Sequence, residues 1–180
     1  MRAGDPGLRL RPVVPSDREA LAALFALPAV YQFLWDGAAP SKALVDELIA
    51  QALEAPTPAH GMWVLEDRSD RVLGSAVLFR PDSELSDYEL VYLLHPRAWG
   101  RGLATRMARS VVDRAFRLGA ASVLAGADVP NSASIRVMER LGMHHVRNVG
   151  YPLGPGVEYI VTRAEWLADG AGEGAESLLV

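Results

Sequence analysis

The sequence predicts a mixed α/β fold of the α+β kind, one mixed sheet with helices on both faces. Three observations carry this. Strand-like and helix-like stretches interleave in the order β-α-α-β-β-β-α-β-α-β-β. The run "YELVYLL" at Tyr88–Leu94 is apolar on both faces, as a central strand is. The stretch from Gly102 to Leu118 has the strongest helical period. Leu103, Met107, Val111 and Ala115, with Ala104, Ala108, Val112 and Phe116, make one broad apolar face, opposite Arg106, Arg109, Asp113 and Arg117.

The elements follow in chain order. "LRLRP" at Leu8–Pro12 alternates as a half-exposed strand does. In "PSDREALAALFALP", Ser16 can cap a helix and Glu19 completes a capping box, with Pro28 as the stop. "VYQFLWDGAAP" is aromatic and reads as a loop or a broken helix. "SKALVDELIAQALEAP" is a second amphipathic helix, with Leu44, Val45, Leu48, Ile49 and Ala52 on its apolar side. "GMWVLED" and "RVLGSAVLFR" form a hairpin around "RSD". Gly119 follows the long helix as a C-terminal glycine. "ASVLAGAD" is a further buried strand. Asn131 or Ser132 caps a short helix that runs to Leu141 and ends at Gly142. "MHHVRNVGY" and "VEYIVTRAEW" close the chain as a hairpin, and the last dozen residues, rich in Gly, Ala and Glu, read as a loose tail.

The 180 residues suit one domain, 1–180, with a core over about 8–166 and a flexible tail over 169–180. The net charge of −4 argues against a general nucleic-acid binder. Almost all basic charge is Arg, Lys42 being the only lysine. With no cysteine there is no disulfide framework, thiolate metal site or cysteine nucleophile. His60, His95, His144 and His145 do not stand at a metal-binding spacing with nearby acids. No window approaches the ~18 apolar residues of a membrane span, and the N-terminus lacks a signal-like apolar core. A cytoplasmic enzyme or binding protein, with no membrane or nucleic-acid partner, is the expectation; a homodimer stays open.

Between the strand ending at Leu94 and the long helix lies "HPRAWGRG", with Gly100 and Gly102 at the junction. Glycines at a helix start let a phosphate approach unsatisfied N–H groups and the positive end of the dipole. The bland alternative is a turn that only starts a helix. A P-loop is excluded, since its lysine is missing. A dinucleotide fingerprint would need a third glycine where Thr105 stands. Asp128 lies about where a ribose-binding acid would, but too little chain follows for that fold.

"YELVYLLHPRAWGRGLAT" followed by "NSASIRVMERLGMHHV" resembles the GNAT N-acetyltransferase superfamily, and within it most the branch that acetylates ribosomal-protein N-termini. The branch pattern runs E-x-G-Y, then h-P-x-x-W-G-x-G-x-A-T, then N-x-x-S-x-x-x-x-x-x-x-G-F. Here Val91 replaces the first pattern's glycine and Met143 the phenylalanine. The superfamily signature Q/R-x-x-G-x-G/A fits from Arg97 or from Trp99, and the distance from His95-Pro96 favours Trp99. The resemblance covers Leu8 to about Trp166 and implies a mostly antiparallel sheet of six to seven strands.

It also implies acetyl-CoA as co-substrate and a primary amine as acceptor, whether a protein N-terminus or a small molecule. Trp99, Gly100, Arg101, Gly102, Leu103, Ala104 and Thr105 would hold the pyrophosphate. The main chain at Leu93 and Leu94 would pair with the peptide-like pantetheine arm, with Asn131 alongside and Ser134 beside it. Asn131 also reads simply as a helix cap. Glu89, the one charged residue within Tyr88–Leu94, is the candidate base; a strand-end glutamate paired with an Arg is the plain alternative. Ser134 is a second catalytic candidate. Met138 stands where some superfamily members have a tyrosine acid; Tyr92 and Tyr159 are substitutes that also read as packing aromatics. Tyr31, Phe33, Trp35 and Asp36 fall in the segment that lines the acceptor groove of related enzymes, or form a packing loop. Glu84 and Asp87 add negative charge near Glu89. A non-catalytic acyl-CoA-binding regulatory module is the alternative function.

Overall fold

Seven strands, β1 (Arg9–Pro12), β2 (Gly61–Glu66), β3 (Val72–Phe79), β4 (Tyr88–Leu94), β5 (Ser122–Asp128), β6 (His144–Tyr151) and β7 (Gly154–Thr162), build one sheet in the order β1-β2-β3-β4-β5-β7-β6. The structure is a computed structural model and describes residues 7–54, 61–82, 84–168 and 178–179. Every neighbouring pair is antiparallel except β4 and β5. Those two are joined by a crossover through helix α4 (Leu103–Arg117), as parallel strands require. The mixed, mostly antiparallel sheet with helices on both faces is thus the fold of this chain.

One face buries Leu90, Leu94, Val123, Ala125 and Val161 against α4, α5 (Ser132–Arg140) and α6 (Arg163–Ala168). The apolar stripe of α4 is driven there: Leu103, Met107, Val111, Val112 and Phe116 are all buried, each gaining about 1.5–3 kcal/mol. The other face buries Met62 and Val64 against α1 (Arg18–Phe25) and α3 (Lys42–Glu54), with the short α2 (Pro28–Tyr31) between them.

Local sequence signals are overruled in four places. The first helix does not start at Ser16; a 3₁₀ turn at Pro15–Asp17 precedes it. Asp17, not Ser16, satisfies the chain there by accepting from the Val14 N–H at 2.8 Å, and it is held by Arg11 at 2.7 Å. Pro28 starts α2 rather than only ending α1, in the first-turn position that proline tolerates. Arg163–Ala168 is helical rather than hairpin, because Thr162 and Glu165 form a reciprocal cap at 2.8 and 3.3 Å. Of the tail expected over 169–180, residues 169–177 and 180 lie outside the described residues. The expectation fails at Leu178, whose C=O accepts from the Leu10 N–H at 2.8 Å and whose N–H donates to Ser110 Oγ at 3.1 Å.

Candidate functional site

A cleft of about 580 Å³ opens where β4 and β5 part. The two strands pair only at Tyr88–Val123 and Glu89–Leu124. Beyond those positions β4 stays on β3 and β5 stays on β7, so the sheet splits into a V. The walls are β4 from Leu90 to Leu94, Gly126 and Ala127 of β5, the start of α4, residues of α5, and Ala29, Val30, Gln32, Phe33 and Leu34; Tyr31, Trp35 and Asp36 are not among them.

At the mouth, Gly100 and Gly102 have left-handed φ of 72° and 71°, which explains the glycines. A Cβ at either would meet nothing within 4 Å, so the space beside them is open. Gly102 caps α4 without a side-chain bond, and the first-turn N–H groups of Leu103, Ala104 and Thr105 have no helical acceptor. Donors, open space and the helix dipole together fit a pyrophosphate. Trp99 is half exposed, and its indole N–H donates to the Leu94 carbonyl at 2.9 Å. The Arg97 side chain is folded back on His95, whose Nδ1 accepts from the Arg97 Nε–H at 3.3 Å as well as from its backbone N–H at 3.1 Å. Of the two signature frames, the one from Arg97 therefore has its side chain engaged elsewhere. Arg101 lies between the glycines and is exposed.

Strand alternation decides which backbone groups face the gap. The His95 N–H donates to Leu73 on the β3 side at 2.8 Å, and Leu94 lies opposite Gly74. Odd residues of β4 therefore bond to β3, while even ones point away. Leu93 lines the cleft, but its main chain, opposite Ser75, is spent on β3, which corrects the expectation that the main chain of both Leu93 and Leu94 is free to pair with the pantetheine arm. Tyr92 and Leu94 present their backbone to the gap instead, with the Leu94 carbonyl already taken by Trp99.

On the α5 side, the Asn131 side-chain oxygen accepts from the Ser134 N–H at 3.2 Å and so caps the helix, while its NH₂ carries two further donors. The Tyr92 hydroxyl donates to the Ser134 carbonyl at 3.0 Å and lies 2.8 Å from Ser134 Oγ. This closed pair ties β4 to α5 across the gap. Burial, offset in part by Ser134, pushes the Tyr92 phenol up to about 12. Met138 is fully buried in the core, so no side chain there reaches the cleft. Tyr159 packs edge-on against His145 at 5.6 Å.

Glu89 lies on the sheet face opposite Tyr92. Burial first, and the charge of Glu158 second, raise its carboxyl above the ordinary range. Among the described residues no Arg forms an ion pair with it. Glu158 is itself buried and bonded to Arg147 at 2.6 Å. Asp128 is buried at the end of β5, and its Oδ1 has no hydrogen-bond partner among the described residues. The Tyr151 ring covers Gly126 and Gly156, where any side chain would collide with it. Its phenol is pushed up to about 12 by burial, then by Glu158, Glu89 and Asp128.

Asp87, in contrast, accepts from the Ala121 N–H at 2.6 Å and is structural. In the segment expected to line an acceptor groove, Trp35 packs 5.0 Å from Phe25 by ring centroids. Trp35, Asp36 and Gly37 all have left-handed φ, of 46°, 56° and 73°, bringing Gly37 against Leu153 of the β6–β7 turn. Among the described residues no group of three or more His, Asp or Glu is placed to hold a metal; His60 lies outside them. Nor, among them, is any helix long and apolar enough to cross a membrane.

Sequence reading missed Tyr151 and Glu158 and gave Asp128 only a ribose-binding role. The available signal was the pair Gly126 and Gly156, which leaves room for an aromatic ring, but the partners come from four strands.

Residues 7–144 match the family model described as Acetyltransferase (GNAT) domain. Over 93 residues, 49% of this chain, the sequence is 33% identical to YkkB of Bacillus subtilis, an uncharacterized protein, covering 53% of it. Over 88 residues, 44% of this chain, it is 38% identical to the FsC-acetyl coenzyme A-N(2)-transacetylase of Aspergillus fumigatus, covering 37% of that protein. The chain thus spans about half or less of the length of these curated relatives. In three dimensions it is similar to the spermidine N-acetyltransferase of Vibrio cholerae, solved with CoA and spermine. The TM-score is 0.76 at 16% identity, over 91% of this chain and 99% of that one, a likeness of fold.

Proposed function

The chain belongs to the GNAT acetyltransferase family, and on that premise we propose that it transfers an acetyl group from acetyl-CoA to a primary amine by direct attack of the amine on the thioester. The observation that carries the reading is the open edge of β4 leading from the Gly102 helix start toward Glu89. Acetyl-CoA supplies the thioester carbonyl. The amides of Leu103, Ala104 and Thr105 receive its pyrophosphate, and the backbone of Tyr92 and Leu94 pairs with its pantetheine amides as a further strand would. A solved neighbour holding CoA and another named for its bound acetyl-CoA support the same co-substrate.

In the transfer, the C–N bond forms as the C–S bond breaks. The amine's proton passes to Glu89, directly or through a water, and the CoA thiolate takes a proton from solvent. Holding both reactants in one cleft supplies much of the acceleration. A strand amide near Leu94 is the donor available to the developing oxyanion. Ser134 acts by holding Tyr92 and the first turn of α5 in place. The motif resemblance to the ribosomal-protein branch supports a protein N-terminus as acceptor. The spermidine and aminoglycoside enzymes among the structural neighbours support a small amine, and the acidic surroundings of Glu89 favour the latter.

Incubation with acetyl-CoA and a panel of amines, followed by free thiol release, tests the proposal. Amine-dependent thiol release is the expected result. CoA binding with no turnover on any amine would select the regulatory module.

A further inference from the structure

We propose that Asp128 and Glu158, grouped around the Tyr151 hydroxyl with the base Glu89 beyond it, form a subsite for a second positive charge on the acceptor, so that the preferred acceptors are small amines with two or more protonated nitrogens. This rests on the acetyl-transfer reading and narrows its acceptor.

The group is assembled by register. Glu89 of β4 sits beside Leu124 of β5, Glu158 of β7 beside Gly126, and Asp128 beside Gly156. Leu124, Gly126 and Asp128 alternate onto one face, the face that Glu89 shares. The level of Asp128 is four residues beyond that of Glu89, roughly 13 Å along the strand at ~3.3 Å per residue. Tyr151 lies over the midpoint at Gly126, and small residues at 126 and 156 are required to admit its ring.

The charges do not cancel. Arg147 engages Glu158, and among the described residues no ion pair reaches Glu89 or Asp128. Asp128 is only 7% exposed, and its Oδ1 is buried without a hydrogen bond among the described residues. A buried, unpartnered carboxylate oxygen is costly, and such groups are otherwise satisfied in folded proteins. A ligand that brings an N–H donor and a positive charge would complete it. An anion is repelled, and a neutral donor leaves the charge uncompensated. Gly126 belongs both to this floor and to the cleft that runs to Tyr92 and Leu94, and it is past Gly126 that the proposed ligand enters the acidic group, its reacting nitrogen toward Glu89 and its second charge toward Asp128. The high phenol pKa of Tyr151 keeps its hydroxyl neutral beside that second nitrogen.

The test compares 1,4-diaminobutane and 1,8-diaminooctane with n-butylamine and n-octylamine. Binding to the protein with CoA is measured by calorimetry, and thiol release with acetyl-CoA is followed in parallel. The wild type should bind at least one diamine roughly tenfold or more tightly than its matched monoamine, as a charge-assisted hydrogen bond predicts. In Asp128→Asn the diamine-to-monoamine ratio should fall to near one, with CoA affinity retained and a Tm no lower than wild type. Equal affinities in the wild type, or a ratio unchanged in Asp128→Asn, overturn the subsite. The wild-type ratio decides the matter even if the variant does not fold. Thiol release without diamine preference overturns the subsite and leaves acetyl transfer standing; diamine preference without thiol release does the reverse.

Discussion

Glu89 sits where burial and the Glu158 carboxylate both oppose its ionisation, so its carboxyl titrates above the usual range. A base must be deprotonated to work. Activity that depends on Glu89 therefore rises with pH through this raised pKa, and the acid limb of kcat/KM lies above the ordinary carboxylate range. Replacing Glu158 with Gln removes the like charge and should move that limb to lower pH. Glu89→Gln should remove the limb and lower turnover by ~10²–10⁴-fold with little change in acetyl-CoA affinity. Normal turnover of Glu89→Gln at pH 7 would make the residue structural. Tyr92 is a different case. Its phenol at about 12 lies far above a thiol's ~8.5, so it can solvate a thiolate but is a poor proton donor to one. Its place in the tie to Ser134 explains why a tyrosine stands there, and Met138 in the core explains why none stands on α5.

Among the elements, the start of α1 depends on a tertiary ion network rather than on its own cap. Arg11 of β1 bonds Asp17 at 2.7 Å and Glu66 of β2 at 2.9 Å, and both carboxylates are buried. Burial raises the Asp17 carboxyl, but bonds from Arg11 and the Val14 N–H outweigh it and the net shift is downward. A lowered carboxyl contributes stability above its unfolded pKa of ~3.9, and that stability is lost as pH falls through the folded value. Arg11→Met leaves two buried acids without their common partner. Losses of this kind cost about 3–5 kcal/mol; Arg9, 2.8 Å from Glu66, places this case toward the lower end. Chemical denaturation at pH 7 measures it, and a loss under about 1 kcal/mol would show the network to be a surface feature. The Ser16 signal was readable in the sequence, but the Arg11 network was not, since only folding sets Glu66 of β2 beside Arg11 of β1. Where the sequence carries a self-contained signal, as at Gly102, Asn131 and Gly142, the element ends stand where that signal puts them.

For the whole molecule, the sheet is two halves, β1–β4 and β5-β7-β6, joined by two residue pairs and by the helices packed over the seam. Each half was legible from strand patterns. The V between them was not, because it depends on where pairing stops rather than on which residues are apolar. Glu89, Asp128, Glu158 and Tyr151 come from four strands, so the acidic floor exists only once the halves are set side by side. The open seam gives a sharp expectation for CoA. Amides at odd positions of β4 are already bonded to β3, whereas those of Tyr92 and Leu94 face the gap. Free strand amides exchange through small local openings, and a ligand that bonds them adds its own free energy to that opening. At a CoA concentration about a hundred times its Kd this amounts to ~2.7 kcal/mol, roughly a hundredfold slowing. Hydrogen exchange resolved by residue should therefore slow at Tyr92 and Leu94, with Val91 and Leu93 already protected and changed only as far as the whole domain is stabilised. In Gly102→Glu, where a carboxylate meets the phosphates, the same CoA concentration should leave Tyr92 and Leu94 exchanging as in the free protein. Protection of Leu93 in place of Leu94 would mean that pantetheine does not lie along this edge in the register the hydrogen bonds of β4 dictate.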